Sequence, residues 1–439
     1  MVNLNEVYLV DYVRTPFSRS RPASRERSAF SEVRADQLVG YTLRNMFEVR
    51  LKDKVKPEEV SEFGVGSSFP VGKQWPYAGR NAWFSGNMPY SVPSIFFDRA
   101  CGSAMTALHH GIMSIMTGYG DIYVASGFEH MFQEPMSPDL QHNMSSPKHL
   151  IVPNPDDNNF WYRDDIDIMT GFSMVQTAQK LWEYEADHIS IERMAKFGVT
   201  SHNNAVKALD EGYFKDEIVP VMGHKEGDLN EPLLVDHDLS IRRGATLEKT
   251  LSLPVVSNPG FRGGYKHKLY KKKEYIEKFG TKTGTITAGN SSPLNAGAAT
   301  AMIMSKEAME SHNMKPMAKI LSMGWASVDP SVMGRGPVPS TETALKKAGL
   351  KPEDIDYWEV NEAFAVVVLN FIDHFKIPEE TVNIKGGAIA IGHPLAASGV
   401  RLPGTLARIL KEKKAKYGCA ALCCGSGQGV TLVIENTEV

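Results

Sequence analysis

Cys101 sits in the run DRACGSAMTAL, where small, helix-compatible residues follow the thiol. That context places it at a helix N-terminus. There the free backbone N–H groups and the positive end of the helix dipole favour a thiolate, and a thiolate is the effective nucleophile. The competing reading is a structural cysteine packed at a helix start. His393 lies in GGAIAIGHPLAASG. Small residues on both sides let a ligand approach the backbone, and Pro394 restricts the histidine to extended conformations. An imidazole fixed in such a turn suits general-base chemistry; its plain alternative is a hydrogen-bonded core histidine.

The run YGCAALCCGSGQGVTLVI reads as a buried strand entering a glycine-rich turn. In an extended strand Cys419 and Cys423 share one face and Cys424 takes the other. A thiol at the strand end beside Gly425, Gly427 and Gly429 suits acid–base work, and the glycine N–H groups suit an oxyanion hole. Cys419 and Cys424 read as packing residues. Zinc is disfavoured, because no CxxC pair exists and residues 423 and 424 point apart. In WEVNEAFAVVVL, Asn361 and Glu362 end a strand and open an apolar helix. Asn is a good N-cap; its chemical alternative is a neutral amide that holds a water or a carbonyl.

The elements that must position these residues occur twice. Residues 56–60 read KPEEV and residues 351–355 read KPEDI, each preceded by a helix-like stretch and followed by a strand-like one. Beyond each copy a short apolar strand meets a small-residue turn, an amphipathic helix and a buried strand ending at Gly. The first helix is expected over about Gly102–Thr117 and its strand over Asp121–Ser126. The second pair is expected over Ala396–Lys413 and Gly418–Cys424. The pattern predicts a duplicated α/β core. Residues 131–285 read instead as an inserted loop domain, with helices at 173–186 and 189–212 and a basic run at 266–282 holding seven lysines against two glutamates.

Bulk properties set the boundaries. The chain has 439 residues, a formal charge of −3 and four cysteines. A near-neutral chain carries no field for nucleic acid, and four cysteines in this length are no disulfide framework. No apolar run is long enough to span a membrane. The N-terminus lacks signal- and transit-peptide layouts, and IENTEV is no peroxisomal address. A cytoplasmic protein with reduced thiols is expected.

With these blocks in view, the sequence resembles the thiolase family over nearly its whole length. The matching segments are RTPF at 14–17, ACGSAMTAL at 100–108, TAGNSSPLNAGAA at 287–299, VNEAFA at 360–365, GGAIAIGHPLAASG at 386–399 and CCGSGQG at 423–429. The resemblance implies two βαβαβαββ halves in a five-layered sandwich: an N-terminal half over 1–130 completed by about 286–312, the insertion at 131–285, and a C-terminal half over 313–439. It implies Cys101 as the acylated nucleophile, His393 as its base and Cys423 as the second thiol that moves the α-proton. His393 and a water on Asn361 would form one oxyanion hole, and the N–H groups of Cys101 and Gly425 the other. For coenzyme A, a substrate rather than a resident cofactor, it implies Arg242, Ala288, Gly289, Ser292 and Leu294. Met174 would face the acyl group. It also implies a homodimer or homotetramer, leaving open an additional subunit.

Four positions depart from the family pattern: Ser173 and Gln179 stand where short-chain members carry His and Glu, Pro293 for Gly, and Ala296 for Asp. The basic run and a segment near 146–166 read as insertions. The expected activity is acyl transfer between thioesters through a cysteine acyl-enzyme. Its rivals are a related condensing enzyme, against which Cys423 and VNEAFA argue, and a non-catalytic acyl-CoA-binding scaffold subunit, which has no chemical use for a Cys–Asn–His–Cys set.

Overall fold

The computed structural model describes residues 4–134, 167–171, 173–257, 277 and 284–439. The segment near 146–166 and, apart from Glu277, the basic run 266–282 lie outside the described residues.

Strand β1 (Val7–Arg14) shows why the core has layers. Its alternate side chains enter two different clusters. Tyr8 and Val10 join the helices Ala35–Arg44 (α1) and Arg80–Ser85 (α2), whereas Val7 and Leu9 join the helix Ser103–Met116 (α3). A strand buried on both faces is a near-continuous apolar run, and the two charged residues of β1, Asp11 and Arg14, are ion-paired with Arg50 and with Glu217 and Asp238. β1 pairs antiparallel with β8 (Asn295–Ser305), β8 with β5 (Ile122–His130), and β5 runs parallel to β3 (Glu62–Gly66), which is parallel to β4 (Ser94–Phe97). The short β2 (Ser18–Arg19) pairs with β8.

The second half repeats this order. β9 (Ala318–Ser327) pairs antiparallel with β12 (Gln428–Glu435), β12 with β11 (Tyr417–Cys424), and β11 runs parallel to β10 (Tyr357–Val360). A single parallel bridge from Trp358 to Val382 stands where β4 stands in the first half. β1 and β9 touch through Tyr8–Lys319 and Leu9–Ala318, which joins the halves edge to edge. α3 and the long helix Ser398–Lys413 pack together between the two sheets. The helices Pro337–Ala348 and Ala365–Phe375 cover the far face of the second sheet. The result is five layers, helix–sheet–helix–sheet–helix.

The duplication reaches small details. KPEEV and KPEDI each form a 3₁₀ turn, closed by Glu59 Oε2 accepting from Lys56 N at 2.7 Å and by Asp354 Oδ2 accepting from Lys351 N at 2.8 Å. Each half also buries a hydroxyl cluster between a central strand and an outer helix. Thr300 bonds Thr42 and Ser126, both at 2.6 Å; Thr431 bonds Ser340 at 2.8 Å and Thr341 at 3.0 Å. Mutual bonding lets these polar groups sit in the core without an unsatisfied penalty.

One expected boundary was too short. β5 continues past Ser126 to His130. Gly127 does not end the strand; it pairs with Ala299 and lies under the crossing of α3 and the segment before Ser398. A Cβ there would meet Ala104 Cβ at 2.4 Å and Ala396 O at 2.8 Å, so close packing rather than a turn demands the glycine. Between the halves the chain adds the helices Met174–Glu185 and Ile191–Asp210 and the hairpin β6 (Val221–Lys225)–β7 (Asp228–Val235). Val255 bridges Thr287, and Gln179 Oε1 accepts from Ser257 Oγ and Thr285 N, both at 2.7 Å. Gln179 thus ties together the segments on either side of residues 258–283.

Candidate active site

Cys101 precedes α3 with Gly102 as the N-cap, so the helix start falls where the sequence predicts. The turn is tight. Ala100 is held at φ +46°, where a side chain is strained. Ser103 Oγ fixes the turn by accepting from Arg99 N at 2.9 Å and donating to Ala100 O at 2.6 Å. Burial pushes the Cys101 thiol up to about 12, although the N–H groups of Gly425 and of Cys101 itself, turned toward the sulfur, oppose the shift, and the charge of Glu129 adds to it. In this site desolvation outweighs the helix terminus.

The glycine turn after β11 lies against the nucleophile turn. A Cβ on Gly102 would meet Cys424 Sγ at 2.4 Å, and one on Gly425 would meet Ala100 Cβ at 3.2 Å. Cys419 and Cys423 face the cluster around Trp358, and Cys424 faces the Cys101 cluster, as alternation predicts. All four cysteines are free and buried. Burial raises Cys423, and the neighbouring Cys101 raises it further, which sets the two thiols within electrostatic reach. Met174 Sδ lies 4.0 Å from the Cβ position of Gly425, so the inserted segment reaches this turn.

Asn361 does not cap a helix. Phe364 is the N-cap of Ala365–Phe375. Asn361 N instead donates to Ala421 O at 2.9 Å, two residues before Cys423, and Asn361 Nδ2 donates to His393 Nε2 at 3.2 Å. With Nε2 accepting, the ring proton sits on Nδ1 and is donated to Ser398 Oγ at 2.7 Å. Asn361 Oδ1 is buried without a partner among the described residues. Burial, then the charge of Arg401, lowers His393 to about 3, so the imidazole rests neutral. Arg401 is itself buried in an ion pair with Glu359.

Two supports were not read from the sequence. Asn295 Oδ1 accepts from His393 N at 2.8 Å, and its Nδ2 donates to Ser18 O and Ser240 Oγ, both at 3.2 Å. Gly392 at φ +112° lets the backbone pass, since a Cβ would fall 2.6 Å from Asn295 Nδ2. Glu362 accepts from Ser201 Oγ at 2.6 Å, Asn383 Nδ2 at 2.9 Å and Ile389 N at 3.0 Å. It thereby locks VNEAFA to the loop that carries His393. A polar residue opening an otherwise apolar strand was the available sign for Asn295, and Ser398 stood within the same block as His393.

The segment 287–294 packs on VNEAFA. Ser292 N donates to Ala363 O at 3.0 Å, Ala365 N to Asn290 O at 2.8 Å, and a Cβ on Gly198 would meet Gly289 O at 2.1 Å. Ala288 precedes Gly289 in this segment, and Leu294 is partly exposed at its end. Arg242 lies beyond it on the surface, its N donating to His202 Nδ1 at 3.3 Å. Arg14 of RTPF is fully buried and bonds Glu217 at 2.8 Å and Asp238 at 2.7 and 2.8 Å; it is a tie to the inserted segment, not part of the thiol site. Among the described residues no cluster of three His, Cys, Asp or Glu could hold a metal ion, and no helix is long and apolar enough to cross a membrane.

A duplicated five-layered α/β sandwich that brings two thiols to one pair of turns, with an imidazole and an amide bonded to each other, is an architecture suited to acyl transfer. Residues 7–261 match the family model for the N-terminal domain of thiolase and residues 314–436 that for the C-terminal domain. The 3-ketoacyl-CoA thiolase of Marinobacter nauticus is 36% identical over 437 residues, covering 99% of each chain. That of Saccharophagus degradans is 35% identical, covering 98% of each. The crystal structure of human mitochondrial 3-ketoacyl-CoA thiolase in complex with CoA superposes with a TM-score of 0.78 at 28% identity, covering 100% of this chain and 99% of that one. The chain belongs to the thiolase family.

Proposed function

We propose that this thiolase cleaves 3-ketoacyl-CoA with coenzyme A, and runs the reverse Claisen condensation, through an acyl group on Cys101. The observation that carries the proposal is the meeting of the two turns: Gly102 lies against Cys424 and Gly425 against Ala100, which brings the end of β11, with Cys423, to the Cys101 turn. His393 takes the Cys101 proton as the sulfur attacks the 3-keto carbon, and returns it later. The bond between the α-carbon and the keto carbon breaks, and the Cys423 thiol protonates the acetyl-CoA carbanion. CoA then attacks the acyl-cysteine and gives its thiol proton to the Cys423 thiolate, releasing the shortened acyl-CoA. Both carbonyl additions build charge on oxygen. The Cys101 and Gly425 N–H groups suit one such oxyanion; His393, with a water held by Asn361, suits the other.

For CoA we assign the segment of Ala288, Gly289, Ser292 and Leu294 to the pantetheine arm and Arg242 to the nucleotide. The CoA complex of the human relative supports coenzyme A as the substrate. Met174 is assigned to the acyl group because it reaches Gly425. We further propose a cytoplasmic homodimer or homotetramer. Free buried thiols suit a reducing compartment. The edge strand β4, flanked by exposed Trp75, Tyr77, Phe84 and Tyr90, is the kind of edge that native proteins cover.

The direct test of the second thiol is α-proton exchange on acetyl-CoA. Cys423→Ala should slow exchange by about 10²–10³-fold while leaving acylation of Cys101 by acetyl-CoA detectable. Exchange at the wild-type rate would remove Cys423 from the proton path.

A further inference from the structure

Arg19, Arg21, Arg25 and Arg27 fall within nine residues that follow RTPF. No role is yet assigned to them. Arg25 is paired with Glu32 at 2.6 Å, and Arg27 reaches only Glu226 at 3.4 Å. Arg19 and Arg21 differ, because the fold holds them against the region assigned to CoA. Ser18–Arg19 pairs with Asn295–Ala296 of β8, and Ser20 N donates to Leu294 O at 2.8 Å. On the other side Leu239 N donates to Phe17 O at 3.1 Å, and Asn295 Nδ2 bonds both Ser18 O and Ser240 Oγ. The segments 17–21 and 238–242 therefore run side by side, with Leu294–Asn295 between them. Arg19, Arg21 and Arg242 are gathered by backbone contacts, whatever their charges.

The charges are poorly compensated. Among the described residues Arg19 and Arg242 have no ion-pair partner, and Arg21 has only Glu226 at 3.3 Å, which it shares with Arg27. Arg19 is held below its usual range, first by burial and then by the charges of Arg21 and Arg242. The buried Nε of Arg21 has no partner among the described residues. Unpaired donors and crowded guanidinium groups are costly unless an anion supplies acceptors. Guanidinium forks match phosphate geometry.

On the footing of the CoA chemistry proposed above, we infer that Arg19 and Arg21 form a phosphate-binding site beside Arg242 that holds the phosphorylated nucleotide end of coenzyme A. The site acts on carrier affinity and leaves the thiol chemistry unchanged.

Adenosine 3′,5′-bisphosphate carries that end without the thiol, so its binding by calorimetry tests the site apart from catalysis. Arg19→Gln and Arg21→Gln should each weaken the bisphosphate roughly tenfold. Each should raise KM for acetoacetyl-CoA by a similar factor and leave kcat within about twofold. With acetoacetyl-pantetheine, which lacks phosphates, both variants should match the wild-type protein. Arg19→Lys should recover part of the lost affinity. Unchanged bisphosphate binding and unchanged CoA KM in both variants would overturn the inference. So would an equal loss on the pantetheine substrate, which marks a general distortion. Where Arg21→Gln does not fold for want of the Glu226 contact, Arg19→Gln decides alone. Arginine-dependent bisphosphate binding without thiolase turnover would defeat the proposed reaction and keep the site; turnover with arginine-independent binding would do the reverse.

Discussion

Cys101→Ala is expected to lower turnover of acetoacetyl-CoA by about 10⁴-fold or more, because it removes the atom that carries the acyl group. No neighbouring thiol can substitute. Cys423 sits at the end of β11 rather than at the start of α3, and Cys424 is packed against Gly102. The N–H groups of residue 101 and Gly425 would still define a pocket, but with no nucleophile in it. Labelled acetyl-CoA gives the direct readout: the wild-type protein should take up close to one acyl group per chain in a burst, and the variant none. The fold should survive, since only one buried sulfur is lost from a well-packed cluster, at about 1–2 kcal/mol. A thermal midpoint within several degrees of wild type would show that. A burst of normal size in Cys101→Ala would sink the nucleophile assignment and the mechanism built on it.

How much of this was legible in the sequence depends on whether a property is local. Helix and strand positions around both thiols came from alternation and small-residue turns, which act over a few residues. Thus Ser103–Met116 and Tyr417–Cys424 fall close to where the pattern puts them. The KPEEV and KPEDI match was visible because both turns use the same proline and acidic closure. The protonation state of Cys101 was not legible. A helix start is a local signal that favours the thiolate, whereas the burial that defeats it comes from β11 and from residues some 300 positions away. The plain alternative for Asn361, a helix cap, fails for a related reason: Asn is a good cap wherever a helix opens, but here the chain runs on to Phe364 before turning. The buried tie from Arg14 to Glu217 and Asp238 spans more than two hundred residues and leaves no spacing pattern. The clustering of Arg19 and Arg21 with Arg242 is hidden in the same way.

His393→Ala is expected to lower acylation of Cys101 by about 10³–10⁴-fold, and the pH dependence identifies the cause. In the resting site both partners are neutral: burial lifts Cys101 to about 12 and lowers His393 to about 3. Between these values the pair carries one thiol proton and one unprotonated imidazole nitrogen. Moving the proton from sulfur to Nε2 makes the nucleophile without exchanging a proton with solvent. Acylation by acetyl-CoA should therefore be nearly flat from about pH 5 to 9 in the wild-type protein. Without the imidazole, the thiol must lose its proton to solvent. Because its folded value is raised, the reactive fraction grows about tenfold for each unit of rising pH. The variant should thus regain rate toward pH 9, closing the gap with wild type by about a hundredfold relative to pH 7. Ser398→Ala should show a smaller loss with the flat profile kept, since it removes only the acceptor that holds the Nδ1 proton. Stopped-flow acylation over this range separates the cases. A resting thiolate–imidazolium pair would instead leave Cys101 open to rapid alkylation by iodoacetamide at pH 6 as well as at pH 9. That result would show that the charge of the sulfur, rather than the base beside it, supplies the reactivity.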